Sequence, residues 1–371
     1  MDFETTLKLT QKRLSEEDGN LGNLLELAKG WTHECLISGN EWDNIVEQAS
    51  HLPKSMGAFP FGFEFPLHDE NPVADFGASL SGGTLTGNIF HDRAKSSGSN
   101  KLASAIANLL NLLDSKDSKL RSIVGRKVML EFDVGSAKNG IPELPGFFLR
   151  PGNIPIYGDE NKQNDVLSLS NALYSITNWK LNSQERQKLE LIYQSQPANT
   201  RLDSFGIFPS RSRGIRLAVM GFNSPEQVKD YLQSTDWHGD GSKVQKTIKS
   251  LQDRTQIARY GINVDVRKDG LGQELGLTTM VKQRYTNDKR YWLDDTDLWD
   301  SFLDALKQEK CVLKDKLLAL KGWMSKPEMN FSKSGCFVIL RGIHHIKLVI
   351  SEGKGNVSKV KAYVFMVLIA I

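Results

Sequence analysis

Apolar residues recur along this chain with two periods that take turns. Near the N-terminus Leu24, Leu25, Leu27, Ala28 and Trp31 have helical spacing, and 42–49 reads as a second helix. The period then drops to two. Phe61, Phe63 and Phe65 alternate with Gly62 and Glu64, and Phe76, Ala78 and Leu80 with Asp75, Gly77 and Ser79, which predicts strands over 61–67 and 74–81. Helical spacing returns at Leu102, Ile106, Leu109 and Leu113.

The same order then repeats. Strands are expected over 127–134 and 145–150, helices over 166–176 and 184–193, and strands over 202–209 and 214–222. Helices over 225–232 and 243–251 lead to strands over 257–267 and 271–281. Helices over 298–306 and 313–323 lead to strands over 336–350 and 359–371. Helix-helix-strand-strand thus occurs five times, in units of roughly 70 residues without evident identity between them. Strands joined by short turns pair antiparallel, because a parallel partner needs a crossover of about a dozen residues. That disfavours a doubly wound sheet or a TIM barrel. The expected class is α+β: one domain over 1–371, with ten antiparallel strands closed into a barrel and helices outside. Closure would also remove exposed edges.

Such a barrel has one apolar strand face and one that is free to be polar. Ala258, Tyr260, Ile262, Val264 and Val266 share a face, opposite Arg259, Gly261, Asn263, Asp265 and Arg267. Arg216, Ala218 and Met220 oppose Ile215, Leu217 and Val219. Arg341, Ile343, His345, Lys347 and Val349 oppose His344, Ile346, Leu348 and Ile350, and Lys361, Tyr363 and Phe365 oppose Ala362, Val364 and Met366. With the apolar faces against the helices, the lumen collects Arg216, Arg259, Arg267, Arg341, His345, Lys347 and Lys361. Its acidic members, Glu64, Asp75, Glu131 and Asp133, come from the first two repeats and form an acidic side facing a cationic one. A half-exposed sheet would turn the same polar faces to water, so the lumen rests on the agreement of five strand pairs.

Composition narrows the class. Charged residues make up 25% and the mean hydropathy is −0.36, ordinary for a folded protein. No apolar run approaches the ~18 residues of a membrane-spanning helix, and no apolar stretch follows the acidic Met1-Asp2-Phe3-Glu4, so neither membrane nor signal peptide is expected. Cys35, Cys311 and Cys336 are widely spaced and suit buried thiols in the cytoplasm. Residues 1–200 carry 19 Lys/Arg against 25 Asp/Glu, a net −6, and 201–371 carry 28 against 19, a net +9. A basic second half suits an anionic ligand. The basic residues are dispersed and no reader motif accompanies them, so nucleic acid is not the expected partner.

The element order resembles the aromatic prenyltransferases of the PT-barrel (ABBA) type, built from five ααββ units, over nearly the whole chain. The resemblance implies transfer of a prenyl group from an allylic isoprenoid diphosphate to an aromatic or peptide acceptor. It implies that Arg216, Arg259, Lys347 and Lys361 hold the diphosphate, that Tyr363 shields the allyl cation, and that Glu131 or Glu64 acts as base. Lumen tyrosines are few: Tyr260 falls on the apolar face. No resident cofactor or metal is expected, with magnesium as an optional companion of the diphosphate. The alternative is a non-prenylating barrel that binds or tailors an anionic metabolite or peptide, and a third class is an interaction protein with a solvated sheet.

Other segments add little chemistry. The Gly-rich 81–87 lacks the ending of a P-loop and reads as a loop. Asp294-Asp295-Thr296-Asp297 precedes a predicted helix, where carboxylates cap free N–H groups. His344 and His345 alternate in direction and so do not share an ion, although His345 suits a phosphate ligand or general acid. Neither a Cys-His pair, a GxSxG nor a Rossmann fingerprint is present.

Overall fold

The structure, a computed structural model, describes residues 2–96, 100–116, 118–135, 142–281, 296–351 and 356–371. Helices α1 (Phe3–Ser15), α2 (Leu21–Lys29) and α3 (Gly39–Ser50) lead to strands β1 (Phe61–Pro66) and β2 (Asp75–Ser81). Helices α4 (Leu85–Ser96), α5 (Lys101–Asp114) and α6 (Lys119–Val124) lead to β3 (Lys127–Phe132), β4 (Gly146–Leu149) and the two-residue β5 (Ile156–Tyr157). The third unit is α7 (Gln163–Ser175), α8 (Ser183–Gln194), β6 (Arg201–Ile207) and β7 (Ile215–Met220). The fourth is α9 (Pro225–Ser234), α10 (Gly241–Arg254), β8 (Arg259–Arg267), β9 (Gly270–Leu271) and β10 (Glu274–Met280). The last is α11 (Thr296–Leu306), α12 (Lys314–Trp323), β11 (Glu328–Ser332), β12 (Gly335–Ser351) and β13 (Val357–Ala370).

Every predicted strand is present, with ends shifted by at most three residues. Helix α4 was not expected: the Gly-rich segment is a turn only as far as Thr84, with Gly83 at φ 63°, and Leu85 begins a helix. Helices α1 and α6 and strand β11 also lay outside the sequence reading. In the acidic run, Asp294 and Asp295 lie outside the described residues, while Asp297 sits in the first turn of α11.

All ladders are antiparallel, in the order β10-β12-β13-β1-β2-β3-β4-β6-β7-β8, and β8 pairs back onto β10. Ten strands therefore close a barrel, and the last strand, β13, lies beside the first, β1. Outward residues meet the helices. Phe63 packs edge-on against Trp42 at 5.5 Å and Trp323 at 5.6 Å between ring centroids, and burying each such ring stabilises the fold by about 1.5–3 kcal/mol. Helix α10 answers with Val244, Ile248 and Leu251 on one face. Its start is set by Asp240, whose carboxylate accepts from the Lys243 amide at 3.2 Å. Most of the buried apolar residues form one cluster running from Leu14 to Ala370. The core is thus chiefly the layer between barrel and helices, and the lumen face carries polar side chains together with apolar ones such as Met220, Leu340, Phe365 and Val367.

One irregularity changes what the lumen contains. On β12 the pairing passes from Ile343 opposite Val364 to His345 opposite Tyr363, so His344 is an extra residue. A bulge of this kind reverses the facing of everything beyond it. His345 and Lys347 face inward as expected, but Arg341 does not. It points at the helices, donates to the Trp323 carbonyl at 2.7 Å and to Glu328 at 2.7 Å, and lies over the Trp31 ring. Uniform alternation along 336–350 had put Arg341 in the lumen.

Candidate active site

Inward positions of four strands meet around Tyr363. Glu64 on β1 lies opposite Tyr363 on one side and Asp75 on the other. Tyr363 lies opposite His345, and Lys361 opposite Lys347. The Lys361 ammonium donates to Glu64. Lys347 donates to the Tyr363 hydroxyl at 2.8 Å and sits 4.5 Å from its ring centroid. His345 stacks on Tyr363 at 4.1 Å with the planes 10° apart, so one face of that ring is already covered. The Nδ1 atoms of His344 and His345 are 2.7 Å apart. One must carry hydrogen while the other accepts, so the two rings touch across the bulge despite adjacent positions in a strand.

Arginines occupy the end of the barrel where β8 finishes. Arg216 on β7 donates through Nε and Nη2 to Asp265 at 2.7 and 3.1 Å. Arg211, in the loop after β6, donates from Nε to Asp133 at 2.9 Å, covers the Phe208 ring at 3.8 Å, and brings Nη2 within 3.7 Å of Glu131. Between them a cavity of about 180 Å³ is lined by Phe208, Arg211, Arg216, Asp265, Arg267 and Glu274.

The two glutamates are held in opposite states. Burial pushes the Glu64 carboxyl up, but the charges of Lys361 and then Lys347 outweigh it and hold it at about 2. Glu131 is raised, first by burial and then by the charge of Glu64, against the pull of Arg211. Its buried Oε1 has no hydrogen-bond partner. Burial and the neighbouring Arg216 lower Lys347 to about 8. Lys361 is raised despite burial, because Glu64 faces it. Burial and Glu64 lift Tyr363 well above the phenol range, so it remains a neutral phenol. The lumen therefore holds a permanent carboxylate, a more basic carboxyl and a set of cations within one low-dielectric space.

No protein-family model and no curated protein matches the chain. Among solved structures, AnaPT from Neosartorya fischeri, an aromatic prenyltransferase, superimposes with a TM-score of 0.51 over 94% of this chain and 90% of that one, at 8% identity. The chain folds as a PT barrel.

Within the PT barrel, the structure gathers Glu64, Glu131, Arg216, Lys347, Lys361 and Tyr363, as the sequence reading expected. It does not bring Arg259 to them. Arg259 and Asp265 lie six residues apart on β8, about 20 Å at 3.3 Å per residue, so Arg259 belongs to the opposite end of the lumen. Nor are acidic and basic residues on separate sides. Closure sets β1 beside β13, and Glu64 meets Lys361 across that seam. Arg211 was missed because it lies in a loop, where alternation carries no signal. Among the described residues, no three His, Cys, Asp or Glu side chains gather as a metal site, and no helix is long and apolar enough to cross a membrane.

Proposed function

We propose that this PT barrel transfers a prenyl group from an allylic isoprenoid diphosphate to an aromatic or peptide acceptor. The observation that carries the reading is the convergence of Arg211, Arg216, Arg267, Lys347 and Lys361 beside Glu131, a buried carboxyl of raised basicity. The diphosphate lies at the arginine-lined end. Asp265 takes Nε and Nη2 of Arg216, which leaves the Nη1 hydrogens for a phosphate oxygen. As the allylic C–O bond breaks, its electron pair leaves with pyrophosphate, whose charge the preorganised cations stabilise. Tyr363, by the cation–π attraction of its ring, protects the allyl cation. The acceptor's π electrons form the new C–C bond, and Glu131 takes the proton that restores aromaticity. Glu64, held ionised by Lys361, is too weak a base for that step and keeps Lys361 in place. Arg259 has no part in it. Cationic side chains carry the diphosphate charge, so turnover is expected to survive EDTA.

The test is pyrophosphate release and product mass with dimethylallyl, geranyl and farnesyl diphosphates and tryptophan, tyrosine or peptide acceptors. Glu131→Gln should lower kcat by about 10²-fold or more while leaving donor affinity intact; undiminished turnover would remove Glu131 from the mechanism. A second reading, a barrel that binds an anionic metabolite or peptide without prenyl transfer, rests on the same arginine-lined cavity. Thermal unfolding separates the two. A ligand at ~100 times its Kd adds about 2.7 kcal/mol; a shift that grows with prenyl length supports transfer, and an equal shift with bare pyrophosphate supports the anion binder.

A further inference from the structure

The far end of the lumen carries a second cationic group. Asp203 on β6 accepts from Nη2 of Arg150 at 2.5 Å and from Nη2 of Arg201 at 3.0 Å, and Nη2 of Arg259 lies 3.8 Å from its Oδ1. Two guanidiniums hydrogen-bonded to one carboxylate leave Arg150, Arg201 and Asp203 with one positive charge in excess. Arg150 and Arg201 are 28% and 26% exposed, so solvent reaches them. The register places this group relative to the candidate base. Glu131 lies opposite Gly146, and Arg150 is four residues further along, about 13 Å at 3.3 Å per residue. Between the two lies Met129, on the same inward face as Glu131 and opposite Phe148. Met129 is 39% exposed, which an inward residue of a closed barrel reaches only where the lumen is open. An apolar, open stretch therefore connects a base to an anion-seeking rim.

We propose that Arg150 and Arg201 anchor an anionic group of the acceptor, so that the acceptor is an elongated molecule whose reacting carbon and carboxylate are held against strand positions about 13 Å apart. A free aromatic amino acid is too short to span that distance. A peptide of about four residues with a free C-terminal carboxylate reaches it, at 3.3–3.6 Å per extended residue. Guanidinium forks suit carboxylates because two parallel N–H bonds match two oxygens. Asp203 already occupies such a geometry as an internal carboxylate that holds the rim in register. The term acceptor rests on the prenyl-transfer reading above; the anion anchor itself does not.

The experiment is calorimetric titration of tryptophyl-triglycine as free acid and as C-terminal amide, with free tryptophan as a third ligand. The acid should bind about 10-fold or more tightly than the amide, the worth of a charge-assisted hydrogen bond, and that preference should vanish in Arg150→Gln/Arg201→Gln. Asp203→Asn, which removes the competing internal carboxylate, should tighten the acid further; a merely structural role for Asp203 would not do so. Equal binding of acid and amide, a preference that survives the double variant, or no binding of either peptide would overturn the proposal. Geranyl diphosphate titrated in parallel keeps the two readings apart. Donor binding with turnover but no acid preference sinks the anchor alone, whereas an acid preference without donor binding sinks prenyl transfer alone.

Discussion

Lys347 holds its proton less firmly than an ordinary lysine, because burial and the adjacent Arg216 both penalise its charge and bring it to about 8. Below that pH it is an ammonium and attracts an anion; above it the amine is neutral. Pyrophosphate affinity is therefore expected to fall as pH rises from 7 to 9, and Lys347→Arg should flatten the profile, since a guanidinium stays charged throughout. Titration calorimetry across that range checks it. Lys361 calls for a different design. Its ammonium offsets the buried Glu64, so Lys361→Ala strands a carboxylate and should cost about 3–5 kcal/mol in stability. Loss of turnover in that variant would not distinguish a diphosphate ligand from a broken fold. Glu64→Gln with Lys361→Met removes both charges together and is the informative pair. These pairings were illegible in the sequence: Glu64 and Lys361 stand 297 positions apart, and neither residue type says which partner it meets.

Among the elements, the strands were the most readable. Half-buried strands write their two faces as strict alternation, and β1 and β8 show it without interruption, as does β13 from Lys359 to Tyr363. Helix α4 was less readable because its start, Leu85-Thr86-Gly87, carries little apolar periodicity. The bulge in β12 was invisible for a sharper reason. An extra residue leaves the local composition apolar on both faces, and only the partner strand defines which position is surplus. Its consequence is testable. Deleting His344 removes the surplus residue but leaves Ile343 opposite Val364 and His345 opposite Tyr363, so Arg341 keeps facing the helices and Lys347 the lumen. The deletion should therefore keep pyrophosphate binding and a cooperative melt, as should His344→Ala; loss of binding in the deletion alone would mean that the bulge itself shapes the site. Circular dichroism melts of the two variants, with pyrophosphate titration, decide the matter.

The barrel as a whole depends on ladders between strands far apart in sequence: β1 with β13, and β10 with both β8 and β12. The apolar layer around it is one connected cluster. Cutting any ladder opens two edges and exposes part of that layer, so the barrel should unfold as a unit. Calorimetry is expected to show a single transition with matching calorimetric and van't Hoff enthalpies. Two resolved transitions would mean that separate parts of the chain fold on their own.

The order of helices and strands, the antiparallel pairing and the polar character of one strand face were all written in the chain, because each follows from spacing between near neighbours. Which residues meet was not. Closure brought Glu64 to Lys361, one surplus residue turned Arg341 out of the lumen, and strand length carried Arg259 about 20 Å from Arg216's partner Asp265. Contacts of that kind depend on register and on which strands become neighbours, and those are settled only when the distant ladders form.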